Sequence, residues 1–131
     1  MTRILIVDDE PIVLRVMRLA LEKDGYQVDV SIDGEEALEK IAANRPDVLI
    51  TDIEMPRMNG QELCLHIQET MPDREFPIFI STSLTALEHR EWSRRISKLI
   101  FLEKPISIRK LRTSIDRYLH SGNSTKAIKA S

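Results

Sequence analysis

A chain of 131 residues with 42% hydrophobic and 31% charged side chains has the size and composition of one soluble globular domain with an ordinary core. No apolar run approaches the roughly 18 residues a membrane span needs, the start lacks the basic and apolar segments of an export signal, and the single Cys64 excludes an internal disulfide or a cysteine-rich metal site; a cytoplasmic location is expected. The net charge of −2 conceals an asymmetry. Residues 1–87 carry 8 basic and 17 acidic side chains, residues 88–131 carry 11 and 4, so the first part suits a cation and the second suits a partner-docking face, a solvated helix surface or, less readily, nucleic acid.

In chain order, a strand is expected at Arg3–Val7, ending in the acids Asp8, Asp9 and Glu10. A helix follows from about Pro11 to Lys23, with proline where its missing N–H costs nothing and Gly25 as terminator. The second strand, Gln27–Ser31, leads to a helix starting at Asp33, with Glu36 three residues on as a capping-box-like pair and Ala37, Leu38 and Ile41 as its apolar face. The third strand, Val48–Asp52, runs into a loop that Pro56 and Gly60 keep from continuing. A helix from about Gly60 to Thr70 turns Leu63, Cys64 and Ile67 inward. The fourth strand, Ile78–Thr82, precedes a helix expected over about Thr85 to Ile96. The fifth, Ile100–Glu103, ends at Lys104 and Pro105. The last helix, about Ser107 to Leu119, places Ile108, Leu111, Ile115 and Leu119 at helical spacing. Residues 121–131 are small and polar and read as a flexible tail after a domain spanning 1–120.

Five strands separated by helices predict an α/β domain with a doubly wound parallel sheet. Ligands of such sheets bind beyond the carboxyl ends of the strands, near the point where strand order reverses, and the polar residues above sit at those ends. Adjacent carboxylates at Asp8, Asp9 and Glu10 repel unless a hard cation such as Mg²⁺ joins them; a helix cap is the ordinary alternative. Asp52 suits a nucleophile that attacks a phosphoryl group, a metal ligand, or simply a turn-initiating aspartate. The Thr82 hydroxyl can bond a phosphoryl oxygen or merely end a strand. Lys104 can pair with phosphate as a compact charge or be a surface lysine. Four such groups at four strand ends point together to phosphoryl transfer.

The segments Ile4 to Glu10, Asp52 to Gly60, Phe79 to Ser83 and Leu102 to Ile106, in this order and spacing, resemble the receiver domain of bacterial two-component response regulators, over Arg3 to about Leu119. The resemblance implies a flavodoxin-like fold with five helices and strand order 2-1-3-4-5. It implies Asp52 as phosphoacceptor, Mg²⁺ held by Asp8, Asp9, Asp52 and the Glu54 backbone carbonyl, Thr82 as switch hydroxyl, Lys104 as phosphate-contacting lysine and Phe101 as switch aromatic. The implied donor is a phosphohistidine on a sensor histidine kinase or histidine phosphotransfer protein.

The chain departs from the family pattern in carrying Arg94, Arg95, Ile96, Ser97 and Lys98 where a Gly-Ala pair is common, and Ser83 where a smaller residue is common. Glu54 and Leu84 occupy positions that tune acyl-phosphate lifetime. Arg90, Arg94, Arg95 and Lys98, with Arg109, Lys110, Arg112 and Arg117, would form a basic face over the fourth helix, fifth strand and fifth helix, a docking surface for an acidic output partner or a second copy of the chain. Trp92 reads equally as an anchor for that partner or as a ring partly buried on the sheet. The leading expectation is a stand-alone phosphorylation switch and not an enzyme with external turnover. An aspartyl phosphatase would carry a second aspartate where Glu54 stands, and a nucleic-acid module would show a recognition motif; neither is present.

Overall fold

The computed structural model describes residues 1–83 and 89–120. Its elements alternate as β1 (Arg3–Val7), α1 (Pro11–Lys23), β2 (Gln27–Ser31), α2 (Gly34–Ala43), β3 (Val48–Asp52), α3 (Gly60–Thr70), β4 (Ile78–Thr82), α4 (Arg90–Ser93), β5 (Leu99–Glu103) and α5 (Ile108–His120). All pairings are parallel and the strand order is β2-β1-β3-β4-β5, the flavodoxin-like arrangement expected. Order reverses at β1, which opens a crevice beyond the ends of β1 and β3.

Side chains alternate across each strand, and this divides the core in two. Ile4, Ile6, Val48, Ile50 and Phe79 face α1 and α5, meeting Leu14, Met17, Leu21, Leu111 and Ile115. Leu5, Val7, Leu49, Ile78 and Ile80 face the other way, toward Ala37 and Ile41 of α2 and Leu63, Cys64 and Ile67 of α3. The two central strands β3 and β4 are buried along their whole length, as a sheet covered on both faces requires. Cys64 is part of this core, and burial pushes its thiol up to about 12, so it packs as a small apolar side chain. No described helix is long and apolar enough to cross a membrane.

One helix start differs from expectation. Asp33 caps α2 by accepting from the Glu36 N–H at 2.9 Å, but the Glu36 side chain turns to Lys40 at 3.5 Å, so the box there is half made. The complete capping box belongs to α3. Asn59 Oδ1 accepts from the Glu62 N–H at 2.9 Å, and Glu62 Oε1 accepts from the Asn59 N–H at 3.0 Å. The fourth helix is also a correction. Of the expected Thr85 to Ile96, residues 84–88, including Leu84, lie outside the described residues, and α4 ends at Ser93. The chain then tightens through Arg95 N–H to Trp92 O and Ile96 N–H to Ser93 O, which buries Ile96. Lys98 turns it back into β5 with left-handed backbone, φ 54. A side chain there costs about 1–2 kcal/mol. Lys98 Nζ offsets part of it by donating to the carbonyls of Arg74 and Glu75 at 3.3 and 3.4 Å.

Candidate functional site

Asp52 ends β3, and only 3% of its surface is exposed. Its backbone is fixed on both sides. Ile53 N–H donates to Ser81 O of β4, and Gly60 N–H donates to Ile53 O at 2.8 Å. Gly60 must approach this closely for the loop to close. A Cβ on it would lie 2.2 Å from the Asp52 carbonyl oxygen and 2.8 Å from the Ile53 Cα, both backbone atoms that cannot swing aside. Gly60→Ala is therefore expected to cost about 2–3 kcal/mol, the upper range for forced overpacking, and to displace Asp52. A urea melt reads the first effect.

The loop between β3 and α3 is pinned to α2 as well. Arg57, in left-handed backbone at φ 63, donates through Nε to Asp33 Oδ2 at 2.8 Å and pairs with it through Nη2. The Glu36 N–H first, then Arg57, hold the buried Asp33 carboxyl below the usual carboxylate range. Gly34 N–H donates to Met58 O. Asp33 was legible as a cap, but nothing in the sequence announced that a loop arginine would share it.

Lys104 follows β5, with its backbone N–H on Thr82 O and a cis bond to Pro105. Its Nζ lies 2.8 Å from Asp52 Oδ1. Burial opposes its charge, but the carboxylates of Asp52, Asp8 and Glu54 outweigh that and raise its pKa above the ordinary lysine value. Asp52 Oδ1 is thus a fully buried carboxylate oxygen held by the Lys104 ammonium as an ion pair. A carboxylate keeps further lone pairs beside such an ion pair, with which it can hold a cation or attack a reacting atom.

At the end of β1, Asp8 is buried while Asp9 and Glu10 are exposed, and oxygens of all three come within 4.8 Å of one another. Capping does not explain them. Glu10 holds the N-cap position of α1 without a side-chain cap bond, and Asp8 Oδ1 accepts from the Glu10 N–H at 2.9 Å. Burial above all, then the Asp52 carboxylate, push the Asp8 carboxyl up to about 6, against the Glu10 bond and Lys104. Three oxygens in reach of each other, the nearby Asp52 carboxylate and a carboxyl held unwillingly charged form a donor set that fits a hard divalent cation.

The sign of this effect can be checked in metal-free buffer. Folded Asp8 holds its proton to about 6, against 3.8 for a free aspartate, so stability falls as pH rises between those values and stays lower at neutral pH. Asp8→Asn cannot ionise. It should melt higher than wild type at pH 7.5 in EDTA, by on the order of 1 kcal/mol after solvent screening, with little gain at pH 4. Equal gains at both pH values would show that the carboxylate is not strained.

Thr82 ends β4 and is buried, whereas Ser83 is exposed. Thr82 Oγ1 lies 3.4 Å from His89 Nε2, a residue the sequence had not singled out. Phe101 is half-buried on β5, its ring stacked on His89 at 6.0 Å. Glu54 is exposed just past β3. The basic face is thinner than expected. Arg94, Arg95, Arg109, Lys110 and Arg117 are exposed, but Arg112 turns to Asp24 at 2.6 Å and Lys98 to the chain at residues 74–75; the Arg90 side chain lies outside the described residues. Trp92 is half-buried, packed with Phe101 beside the core.

Comparison with known proteins bears on this geometry. The family model described as "Response regulator receiver domain" matches residues 4–116. Response regulator MprA of Mycobacterium ulcerans is 38% identical over 109 residues, 83% of this chain and 46% of that protein; the chain thus spans about half the length of the curated relatives it matches. Among solved structures, the chemotaxis response regulator CheY4 of Vibrio cholerae is 30% identical with a TM-score of 0.80, covering 89% of this chain and 98% of that one. The response regulator TrrA of Thermotoga maritima, in complex with Mg²⁺-BeF, is 30% identical with a TM-score of 0.75, at the same coverages.

Proposed function

Because the chain belongs to the response regulator receiver domain family, a signalling family and not a class of turnover enzymes, we propose that residues 1–120 accept a phosphoryl group on Asp52 and use it as a switch. The observation that carries this is the buried Asp52 carboxylate, paired with the Lys104 ammonium at 2.8 Å and close enough to Asp8 to raise its pKa. In the transfer, an Asp52 oxygen attacks phosphorus in line as the phosphorus–nitrogen bond of a donor phosphohistidine breaks, and the imidazole leaves with that electron pair. Lys104 pairs with the incoming oxygens. Asp8, Asp9, Asp52 and the Glu54 carbonyl would hold Mg²⁺, which would supply further neutralisation of phosphoryl charge. The Thr82 hydroxyl then turns to a phosphoryl oxygen, and Phe101 follows inward. The phosphorylated state gains contacts from Thr82 and Lys104 that the free state lacks, which is the differential binding a population shift requires.

The donor is a sensor histidine kinase or histidine phosphotransfer protein. Beside the acids, α1 exposes Ile12, Val16 and Leu19, an apolar patch on which a donor helix can seat. The face of α4, β5 and α5, with its exposed arginines, engages an acidic output protein or a second copy of the chain, in the cytoplasm; the tail expected at 121–131 lies outside the described residues. Intact-protein mass after incubation with acetyl phosphate tests the core of this reading. One added phosphoryl group that requires Mg²⁺ is the expected result. No adduct from acetyl phosphate, and none of beryllofluoride either, would sink it.

A further inference from the structure

Three rings close the space behind Thr82. The buried imidazole of His89 stacks on Phe101, with centroids 6.0 Å apart and planes at 22°. Trp92 meets both rings edge-on, at 5.7 Å from His89 and 6.4 Å from Phe101. Trp92 Nε1–H donates to His89 Nδ1 at 3.0 Å. An indole nitrogen only donates, so Nδ1 presents a lone pair, the imidazole is neutral, and its proton is on Nε2. That nitrogen faces Thr82 Oγ1 at 3.4 Å. The contact therefore runs from His89 Nε2–H to the hydroxyl, and a chain of two hydrogen bonds joins Thr82 to Trp92.

We propose that His89 is a positioning residue of the switch, one of the contacts that retain the Thr82 hydroxyl in the unphosphorylated protein and the group that passes its departure on to Trp92. The inference rests on the reading above, in which Thr82 turns to a phosphoryl group on Asp52. A contact already at 3.4 Å is lost with a small displacement of the hydroxyl. The buried Nε2–H is then left without an acceptor, which is costly enough to reorient the ring. Reorientation breaks the Trp92 bond on the opposite side of the imidazole and removes the surface on which Phe101 stacks. A movement at the phosphorylation site so becomes a movement of the half-buried indole on the α4 side, through hydrogen bonds rather than through packing alone.

Trp92 is the sole tryptophan, so one indole resonance reports the outer end of the chain. The full chain is titrated with beryllofluoride and Mg²⁺, with bound fluorine followed by ¹⁹F NMR. In wild type the Trp92 Nε1–H resonance should shift, and its exchange with solvent should quicken, in step with saturation. His89→Phe keeps the stack but makes neither hydrogen bond. It should bind beryllofluoride about three- to tenfold tighter, the range for loss of one retaining hydrogen bond, and Trp92 should no longer respond. His89→Gln restores a donor near Nε2 and should return the affinity to that of wild type. A wild-type indole resonance that stays fixed as bound fluorine saturates overturns the proposal, whether or not the variants fold. So does an unchanged affinity in His89→Phe. No bound fluorine signal in wild type is a different failure; it removes the phosphoacceptor reading, and this inference falls with it.

Discussion

An Asp52→Asn variant is expected to gain no phosphoryl group from acetyl phosphate and Mg²⁺, where wild type should gain one, and to be no less stable. The first half follows from chemistry. An amide oxygen is too weak a nucleophile to form the acyl phosphate, and exposed acids such as Asp9 and Glu10 lack the buried site beside Lys104. The loss should be total within detection by intact mass. The second half follows from electrostatics. Asp52 is one of the charges that raise the Asp8 pKa, so removing it relieves repulsion inside the site. Lys104 loses its partner, but its side chain is 31% exposed and the ammonium can turn to water. The melting temperature in EDTA at pH 7.5 should stay level or rise. A variant that still gains the mass would move the phosphoacceptor elsewhere; one that melts well below wild type would mean the Lys104 pair stabilises the fold more than the acid cluster destabilises it.

How far the sequence foretold this site depends on how local each determinant is. Strands β1 to β4 fall on the residues expected, because alternating or continuous apolar runs bounded by turn residues are written locally, and β5 begins one residue earlier, at Leu99. The end of each strand was therefore legible too, and with it the placing of Asp8, Asp52, Thr82 and Lys104. Their convergence was not local; it needed the strand order, which puts the ends of β1 and β3 side by side. The α4 region failed for the opposite reason. The expected helix ran on to Ile96, but the end at Ser93 is set by the turn that buries Ile96 and by Lys98 in left-handed backbone, neither of which has a sequence signal in the absence of glycine. His89 stayed hidden because a lone histidine on a short helix carries no pattern. Its role depends on Phe101, which lies on another element, and on a bond to an indole three residues on. Arg57 and Asp33 meet across 24 residues, a pairing that spacing cannot reveal.

Arg74 is the clearest residue of this kind, and its removal should have the largest effect on stability of any substitution away from the site. It lies between α3 and β4, at the end of the sheet opposite Asp52, and is only 2% exposed. A buried charge with no acidic partner among the described residues would ordinarily be a liability. Here Nε donates to Phe76 O at 3.2 Å, Nη1 to Gln68 Oε1 at 2.9 Å and Nη2 to Ser97 O, while the guanidinium sits 5.5 Å over the Phe76 ring. One side chain thus ties α3, the entry to β4 and the turn before β5, and Gln68 completes the tie by accepting from the Ser97 N–H at 3.0 Å. Arg74→Ala removes a large buried volume and strands two carbonyls. At about 2–5 kcal/mol for truncating a large buried side chain, with up to about 3 kcal/mol for each unsatisfied group partly met by entering water, a net loss of about 4 kcal/mol is expected. For a domain of this size that is a fall in melting temperature of roughly 15 °C. Arg74→Lys should recover little, because one ammonium cannot reach three acceptors held in a planar fork. Phosphorylation of the folded fraction by acetyl phosphate at low temperature should be unchanged, since none of these bonds touches β1, Asp52 or Lys104. A melting temperature near that of wild type would mean water replaces the guanidinium without cost. A lost phosphoryl adduct in well-folded Arg74→Ala would mean that the two ends of the sheet are coupled in a way these contacts do not account for.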